Sequence, residues 1–303
     1  MKPKTCFPKK YLAICLVFLF CVLLTAGCNG GGEPREKNSG AESGQAGDQV
    51  VVITGDGVSK ETRLTLEEML ELPGARVEHV YSTINNWPAP KKYAAKGVKV
   101  AALLEAAGVK AEAKGITVKG KDGFQWSFTR DQLLDTPRYY YPEVQSGDPS
   151  GAVPVEPIIA YAYKENSDNP SEAGTDDLCL IMPQANVREQ TNHTFVKGVS
   201  EIQVVLEDPG KWEKAGVFPG AGAIAAGDTV KLQHKDIGKV KMYYTLDGSI
   251  PTETSTLYNP STYQPELNKP IRIDRDTTIK VLVRGFGKHD SDIAEFHYKI
   301  KGS

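Results

Sequence analysis

The sequence predicts an α+β domain followed by a small all-β sandwich, and three patterns in its 303 residues support this fold class. Many short runs alternate apolar and polar residues with period two, which is typical of half-buried strands. A few segments carry helix start and stop signals, and they are scattered among the strands without a regular βαβ rhythm. After a stretch rich in glycine, alanine and proline at residues 208–226, only strand patterns continue to the end.

Local signals place the elements of the first domain in chain order. Thr65 and Glu68 form the capping-box pattern that begins a short helix, and Gly108 is a suitable residue to end a second one. Thr129 is expected to cap a third short helix. Strands are predicted at residues 50–53, 77–81, 116–118, 124–128, 178–182 and 199–206, and helices at 65–70, 100–107 and 129–134.

The second domain contains strand patterns alone. Its three clearest strands alternate apolar with polar residues at 242–246, 279–284 and 295–300. Asp247 with Gly248, and the glycines at 285 and 287, supply turn residues between them. Short strands separated by such turns favour a small sandwich.

The N-terminal segment has the pattern of an export signal that ends before Cys28. Four lysines and no acid occupy the first ten residues, and the apolar run at 11–24 is too short to span a bilayer, which needs ~20 residues. The small residues before Cys28 resemble a bacterial lipobox. We therefore expect a signal peptide at 1–27, a lipid on Cys28, and a location at the outer face of the cell membrane, or at the outer membrane of a diderm. A transmembrane anchor and a simple secretory signal are the alternatives.

Removal of this signal changes the cysteine count and the charge. Three of the five cysteines leave with it and Cys28 is lipidated, so Cys179 is the one free thiol and no internal disulfide is expected. Loss of the four lysines takes the net charge from −2 to −6, which argues against a nucleic-acid partner.

Composition also divides the rest of the chain. Residues 28–49 contain mostly glycine, serine, glutamate, lysine and asparagine, and such a segment predicts a flexible tether. We expect a first domain at 50–207, a linker at 208–226 and the sandwich at 227–303.

The first domain resembles the molybdopterin-binding domain of sulfite-oxidase-type oxidoreductases. The resemblance covers about residues 50–206 and rests on the order of several segments, which are GVKVAALL at 97–104, KDGF at 121–124, EPIIAYA at 156–162, LIMP at 180–183 and FVKGVSEIQV at 195–204. It implies an α+β molybdopterin-binding fold in which residues 156–162 are helical.

The same resemblance defines a candidate cofactor pocket. In that family a cysteine near the start of the segment at 81–87 supplies a thiolate to molybdenum, and here Ser82 or Thr83 stands in its place. A hydroxyl is a harder donor than a thiolate, so the resemblance implies either altered ligation or a pocket that binds something else. The candidate pocket residues are Ser82, Thr83, Asn85, Asn86, Trp87, Lys91, Lys92 and Lys197.

The second domain resembles the C-terminal sandwich of chitobiases and related secreted glycosidases. The resemblance runs from about residue 227 to 300 and rests on the segment YYTLDGSIPT at 243–252. It implies an accessory module without catalytic residues. A glycan surface built from Tyr243, Tyr258 and Tyr263 is an alternative to tyrosines that serve the core.

These observations predict a function at the bacterial cell envelope. The sequence contains no zinc or haem spacing, phosphate loop or dinucleotide fingerprint, so we predict no metal site and assign no catalytic residue. We expect a lipid-anchored protein with a binding or redox-accessory role. The alternatives are a molybdopterin-dependent oxidoreductase with unusual ligation and an envelope redox partner, and an adhesive surface protein that binds cell-wall glycan.

Overall fold

The computed structural model describes residues 49–262 and 264–302, and within them the chain is mostly β. These residues form nineteen strands and three α-helices, the longest of seven residues. The predicted combination of an α+β domain with a small sandwich is therefore wrong. Cys28 lies outside the described residues. No helix of the described chain is long and apolar enough to cross a membrane.

One segment accounts for much of this error. Residues 156–162 were expected to be helical, whereas Ile158–Glu165 is a strand that lies between two others. Its side chains alternate between two hydrophobic clusters, because Ile159 packs in one cluster while Ile158 and Ala160 pack in another. A strand covered on both faces has no polar alternation, so its apolar run resembles a buried helix.

The residues before 208 form two main sheets, and we call them the N-terminal part. Their elements are β1 (Val50–Thr54), β2 (Thr62–Thr65), α1 (Leu66–Glu71), β3 (Arg76–Ile84), β4 (Pro90–Lys99), α2 (Val100–Ala106), β5 (Gly115–Gly120), β6 (Gln125–Thr129), β7 (Tyr139–Tyr140), β8 (Val153–Pro154), β9 (Ile158–Glu165), β10 (Gly174–Ile181) and β11 (Val199–Val205). The sheets have the strand orders β2-β1-β11-β5-β6 and β10-β9-β4-β3, and β7 pairs with β8. Of these pairings, β1 with β11 is parallel, and it joins the two ends of the N-terminal part.

Two local predictions in this part are confirmed. The Thr65 side chain accepts a hydrogen bond from the Glu68 N–H, and the Glu68 carboxylate accepts one from the Thr65 N–H, which completes the capping box of α1. Gly108 follows α2 with φ +67°, a conformation that suits glycine after a helix end. The predicted helix at 129–134 is a single π-helical turn at Asp131–Asp135.

The described residues from 208 onward form the C-terminal part. Their elements are β12 (Gly216–Phe218), β13 (Gly222–Ile224), β14 (Thr229–Gln233), β15 (Val240–Thr245), β16 (Thr256–Tyr258), α3 (Pro265–Asn268), β17 (Ile271–Arg272), β18 (Thr277–Gly285) and β19 (Ala294–Ile300). One sheet has the order β12-β14-β17 and the other β13-β19-β18-β15-β16. Both sheets contribute buried side chains to one hydrophobic cluster, as Val230, Met242 and Val281 illustrate. Residues 208–226, predicted as a linker, contain β12 and β13 and bury Trp212 in this cluster.

The close approach of Gly55 to β11 provides a test of the fold. Gly55 has φ +106°, and a Cβ atom there would lie 1.9 Å from the carbonyl oxygen of Val204. Gly55→Ala combines a strained backbone with a clash, so we expect it to lower the free energy of unfolding by about 3 kcal/mol or more. Urea denaturation measures this loss.

Gly174→Ala is the matched control for this substitution. A Cβ atom at Gly174 meets no heavy atom within 4 Å and the residue is exposed, so its variant is expected to stay within about 0.5 kcal/mol of the parent. Equal stability of the two variants would contradict the close contact between Gly55 and β11.

Candidate functional site

A cavity of about 390 Å³ lies between the N-terminal and C-terminal parts, and we call it the interface cavity. Gln132 joins the two parts at its edge. The Gln132 Nε2 group donates to the carbonyl oxygens of Gly285 and Lys288, at 3.0 and 3.1 Å, and its Oε1 accepts from the Gly287 N–H at 2.9 Å. The ionisable lining residues are Arg138, Arg188, Glu189, His193, Lys239, Lys241, Tyr139, Tyr243, Glu253, Arg284 and Asp290.

The charge of the interface cavity is unbalanced. Five of its lining residues are lysine or arginine and three are acidic, which leaves an excess of two positive charges. Arg138 is 4% exposed and donates to Glu189 at 3.0 Å, and Arg284 pairs with Asp290 at 3.0 Å. These arginines are neutralised by neighbouring carboxylates.

Lys241 differs from these arginines in its partners. Its Nζ lies 3.3 Å from the Asn86 Oδ1 and 3.5 Å from the Ser261 Oγ, which are both neutral groups. No carboxylate of the described residues forms an ion pair with it. Burial lowers the pKa of Lys241 to about 8. An ammonium that is shielded from water and lacks a counter-charge loses protonation more easily.

His193 forms a neutral part of the cavity wall. Its ring packs edge-on against Trp126, with 5.0 Å between ring centroids, and both ring nitrogens are shielded from solvent. Neither nitrogen has a hydrogen-bond partner within the described chain. Burial, together with the positive charge of Lys241, lowers the pKa of His193 to about 3. The imidazole is therefore uncharged at neutral pH.

Seven of the eight residues predicted for a cofactor pocket lie on the hairpin of β3 and β4, where Ser82 is paired with Lys92 and Thr83 with Lys91, but their side chains make separate contacts. Asn85 caps the turn between β3 and β4, where its Oδ1 accepts from the N–H groups of Trp87 and Ala89. Asn86 reaches Lys241 at the interface cavity, and Trp87 is 59% exposed. Lys92 pairs with Asp168 at 3.8 Å.

Two of the predicted lysines line a different cavity. Lys91 and Lys197 lie with Cys179 around a space of about 380 Å³. Lys91 forms an ion pair with Glu165, and the Lys197 Nζ lies over the Tyr163 ring, 5.9 Å from its centroid. Burial raises the pKa of the Cys179 thiol to about 12, so it is a protonated side chain at neutral pH.

The position that resembles the molybdenum ligand does not fit that role. Ser82 and Thr83 are fully buried, and their hydroxyls are already committed. The Ser82 Oγ donates to the Gln184 Oε1 at 2.6 Å and accepts from the Tyr141 N–H at 2.9 Å. The Thr83 hydroxyl shares a 2.7 Å hydrogen bond with Thr191. Both hydroxyls are therefore engaged in hydrogen bonds within the protein.

Sequence reasoning did not identify most of the interface cavity. Arg138, His193, Lys241 and Arg284 are far apart in the chain, and no motif spacing connects them. Of the three tyrosines considered for glycan binding, Tyr243 lines this cavity, Tyr258 is buried in the core of the C-terminal part, and Tyr263 lies outside the described residues.

Comparison with known proteins gives a match to one family model over part of the chain and weak similarity to solved structures. A family model described as Fn3 associated matches residues 230–298, within the range where we expected a chitobiase-type module. The crystal structure of the sulfane dehydrogenase SoxCD from Paracoccus pantotrophus is similar over 81% of this chain and 69% of that chain, at 14% identity and a TM-score of 0.35. No curated protein matches the chain. The relation to oxidoreductases is therefore weak.

The charge state of His193 predicts a pH-dependent stability. The folded-state pKa of about 3 lies below the usual value of 6.5, so the unfolded chain binds more protons between these values. The neutral His193 imidazole therefore makes its full contribution to stability above about pH 6.5, and this contribution is lost as the pH decreases toward 3. From about pH 7.5 to about pH 5 this one group is expected to remove about 2 kcal/mol.

His193→Phe tests this assignment, because it keeps an aromatic ring and removes the titrating group. Between about pH 7.5 and about pH 5 the free energy of unfolding of the parent is expected to fall, and we expect the fall in His193→Phe to be about 2 kcal/mol smaller. Urea denaturation at both pH values measures the two falls. His297→Gln, at an exposed histidine on β19, is the control and is expected to keep the parent's pH dependence. An unchanged dependence in His193→Phe would contradict a buried neutral imidazole.

Proposed function

We propose that this protein binds a small organic anion in the interface cavity while a lipid on Cys28 holds it at the outer face of the bacterial cell membrane. This is the binding role among the functions that the sequence predicts. The observation that carries it is Lys241, a shielded ammonium without a carboxylate partner in a cavity with excess positive charge.

Electrostatics favours an anion as the ligand. A buried charge without a partner is costly, and a carboxylate or phosphate of a ligand would supply the missing counter-charge. Arg188 and Lys239 also line the cavity and form no ion pair within the described chain, so they add to the attraction. The ligand is therefore expected to carry at least one negative charge.

The walls favour a ligand that also has a flat apolar portion. Tyr139, Tyr243 and Phe286 line the cavity together with the charged side chains. Aromatic walls with a few convergent polar groups are typical of small-molecule sites, and a space of about 390 Å³ lies in their usual range of roughly 300–1,000 Å³. An aromatic carboxylate meets both requirements.

The same geometry argues for binding rather than for a redox role. The hydroxyls of Ser82 and Thr83 are occupied by Gln184, Tyr141 and Thr191. The pKa of Cys179 is raised to about 12, and a thiol that stays protonated is a weak ligand and nucleophile. We therefore assign no redox chemistry to these residues.

Binding is tested by isothermal titration with terephthalate, benzoate and phenyl phosphate. We expect at least one of the three to bind, and Lys241→Met to weaken that binding about tenfold or more, because it removes the unpaired positive charge. Lys299→Met, at an exposed lysine on β19 outside the cavity, is expected to bind as the parent does. Absence of binding by all three anions, or equal affinity in both variants, would overturn the proposal.

Membrane attachment is tested separately with Cys28→Ser. We expect this variant to lose the lipid and, in a bacterial host, to fail processing at the signal or to leave the membrane fraction, because the serine hydroxyl does not replace the acceptor thiol. Metabolic labelling with a palmitate analogue and fractionation measure both effects. Full lipid labelling of Cys28→Ser would contradict the predicted lipobox.

A further inference from the structure

We infer that the interface cavity takes an anion that also carries an aldehyde or ketone, and that Lys241 forms a Schiff base with this carbonyl group. The inference rests on the proposed function, because the carbonyl compound occupies the same cavity. It extends that function from reversible ion pairing to covalent capture.

The first argument is the chemical environment of the Lys241 Nζ. Asn86 and Ser261 hold it through neutral oxygens at 3.3 and 3.5 Å, and no acidic side chain of the described residues neutralises it. A lysine without a carboxylate partner in a shielded site is present partly as the free amine near neutral pH. The free amine is the nucleophile that attacks carbonyl carbon.

The second argument is that, among the cations that line the cavity, Lys241 is the one shielded amine that can form a Schiff base. Arginine does not form Schiff bases under these conditions because its guanidinium remains protonated. The other lining lysine, Lys239, is exposed to solvent, whereas Lys241 is half-buried. Arg188 and Lys239, which form no ion pair within the described chain, keep the cavity attractive to an anionic substituent while Lys241 reacts.

The reaction balances without an oxidant or a reductant. The Lys241 nitrogen attacks the carbonyl carbon, a C–N bond forms, and the carbonyl oxygen takes up a proton to give a carbinolamine. Loss of one water then gives the imine, and its protonation restores the positive charge at the Lys241 position.

The experiment uses 4-carboxybenzaldehyde, which differs from terephthalate by an aldehyde in place of one carboxylate. The protein is incubated with this probe and sodium cyanoborohydride, which reduces the imine to a stable secondary amine, and the modified residue is mapped by peptide mass spectrometry. We expect one modification per chain, at Lys241, and protection by excess terephthalate. Lys239 is expected to react only at the rate of the exposed lysines.

Lys241→Arg separates covalent capture from anion binding. Arginine keeps a positive charge but does not form an imine, so we expect modification to fall at least about tenfold. The terephthalate affinity of the same variant is measured beside it and shows how far the anion site itself has changed. Lys299→Arg, on β19 outside the cavity, is expected to be modified at Lys241 as the parent is. Thermal unfolding of each variant verifies that it is folded, and Lys241→Gln is a second variant if Lys241→Arg unfolds.

The outcomes distinguish the two proposals. Terephthalate binding without selective modification of Lys241 would overturn the Schiff base and leave the proposed function intact. Modification spread evenly over surface lysines, or unchanged in Lys241→Arg, would also overturn it. If neither terephthalate nor the aldehyde engages the cavity, both proposals fail.

Discussion

The interface cavity depends on the side-chain amide of Gln132. This residue lies in the π-helical turn after β6, and its amide makes hydrogen bonds in both directions. Its Oε1 accepts from the N–H groups of Thr129 and Gly287, and its Nε2 donates to the carbonyl oxygens of Gly285 and Lys288. A single side chain thereby fixes the turn between β18 and β19 against the N-terminal part. The cavity walls come from both parts, and this contact sets their spacing together with the hydrogen bonds of Asn86 to Lys241 and Asn259.

The same junction determines how charge is distributed in the cavity. The main-chain oxygen of Gln132 accepts from Arg138, whose guanidinium also reaches the Pro183 carbonyl and Glu189. Arg138 is therefore paired with Glu189, and Arg284 is paired with Glu253 and Asp290. The charges of these two arginines are balanced by carboxylates of the protein itself. The charge of Lys241 has no such balance, because its hydrogen-bond partners are neutral.

Local sequence signals predicted the ends of several elements better than the class of the fold. The capping box of α1 and the glycine after α2 are properties of four to eight neighbouring residues, and the structure confirms both. The state of residues 158–160 depends on β4 and β10, which cover their two edges, so no local pattern could decide between helix and strand. The residues of the interface cavity were harder to predict from the sequence than the fold was. Asn86, His193 and Lys241 come together through contacts between segments that are distant in the chain.

Ser82 stands where the family that the first domain resembles has a metal-binding cysteine, and its hydrogen bonds connect this position to the interface cavity. Ser82 holds the Gln184 amide oxygen, while the Gln184 Nε2 donates to the carbonyl oxygens of Val187 and Glu189. This network shapes the loop at 184–190, and the loop presents Glu189 to Arg138 at the cavity wall. A thiolate at position 82 that coordinated a metal would have to release the Gln184 Oε1, and the loop would lose this hydrogen bond to β3. The residue that occupies the Ser82 hydroxyl thus begins the loop that forms one wall of the cavity where we place ligand binding.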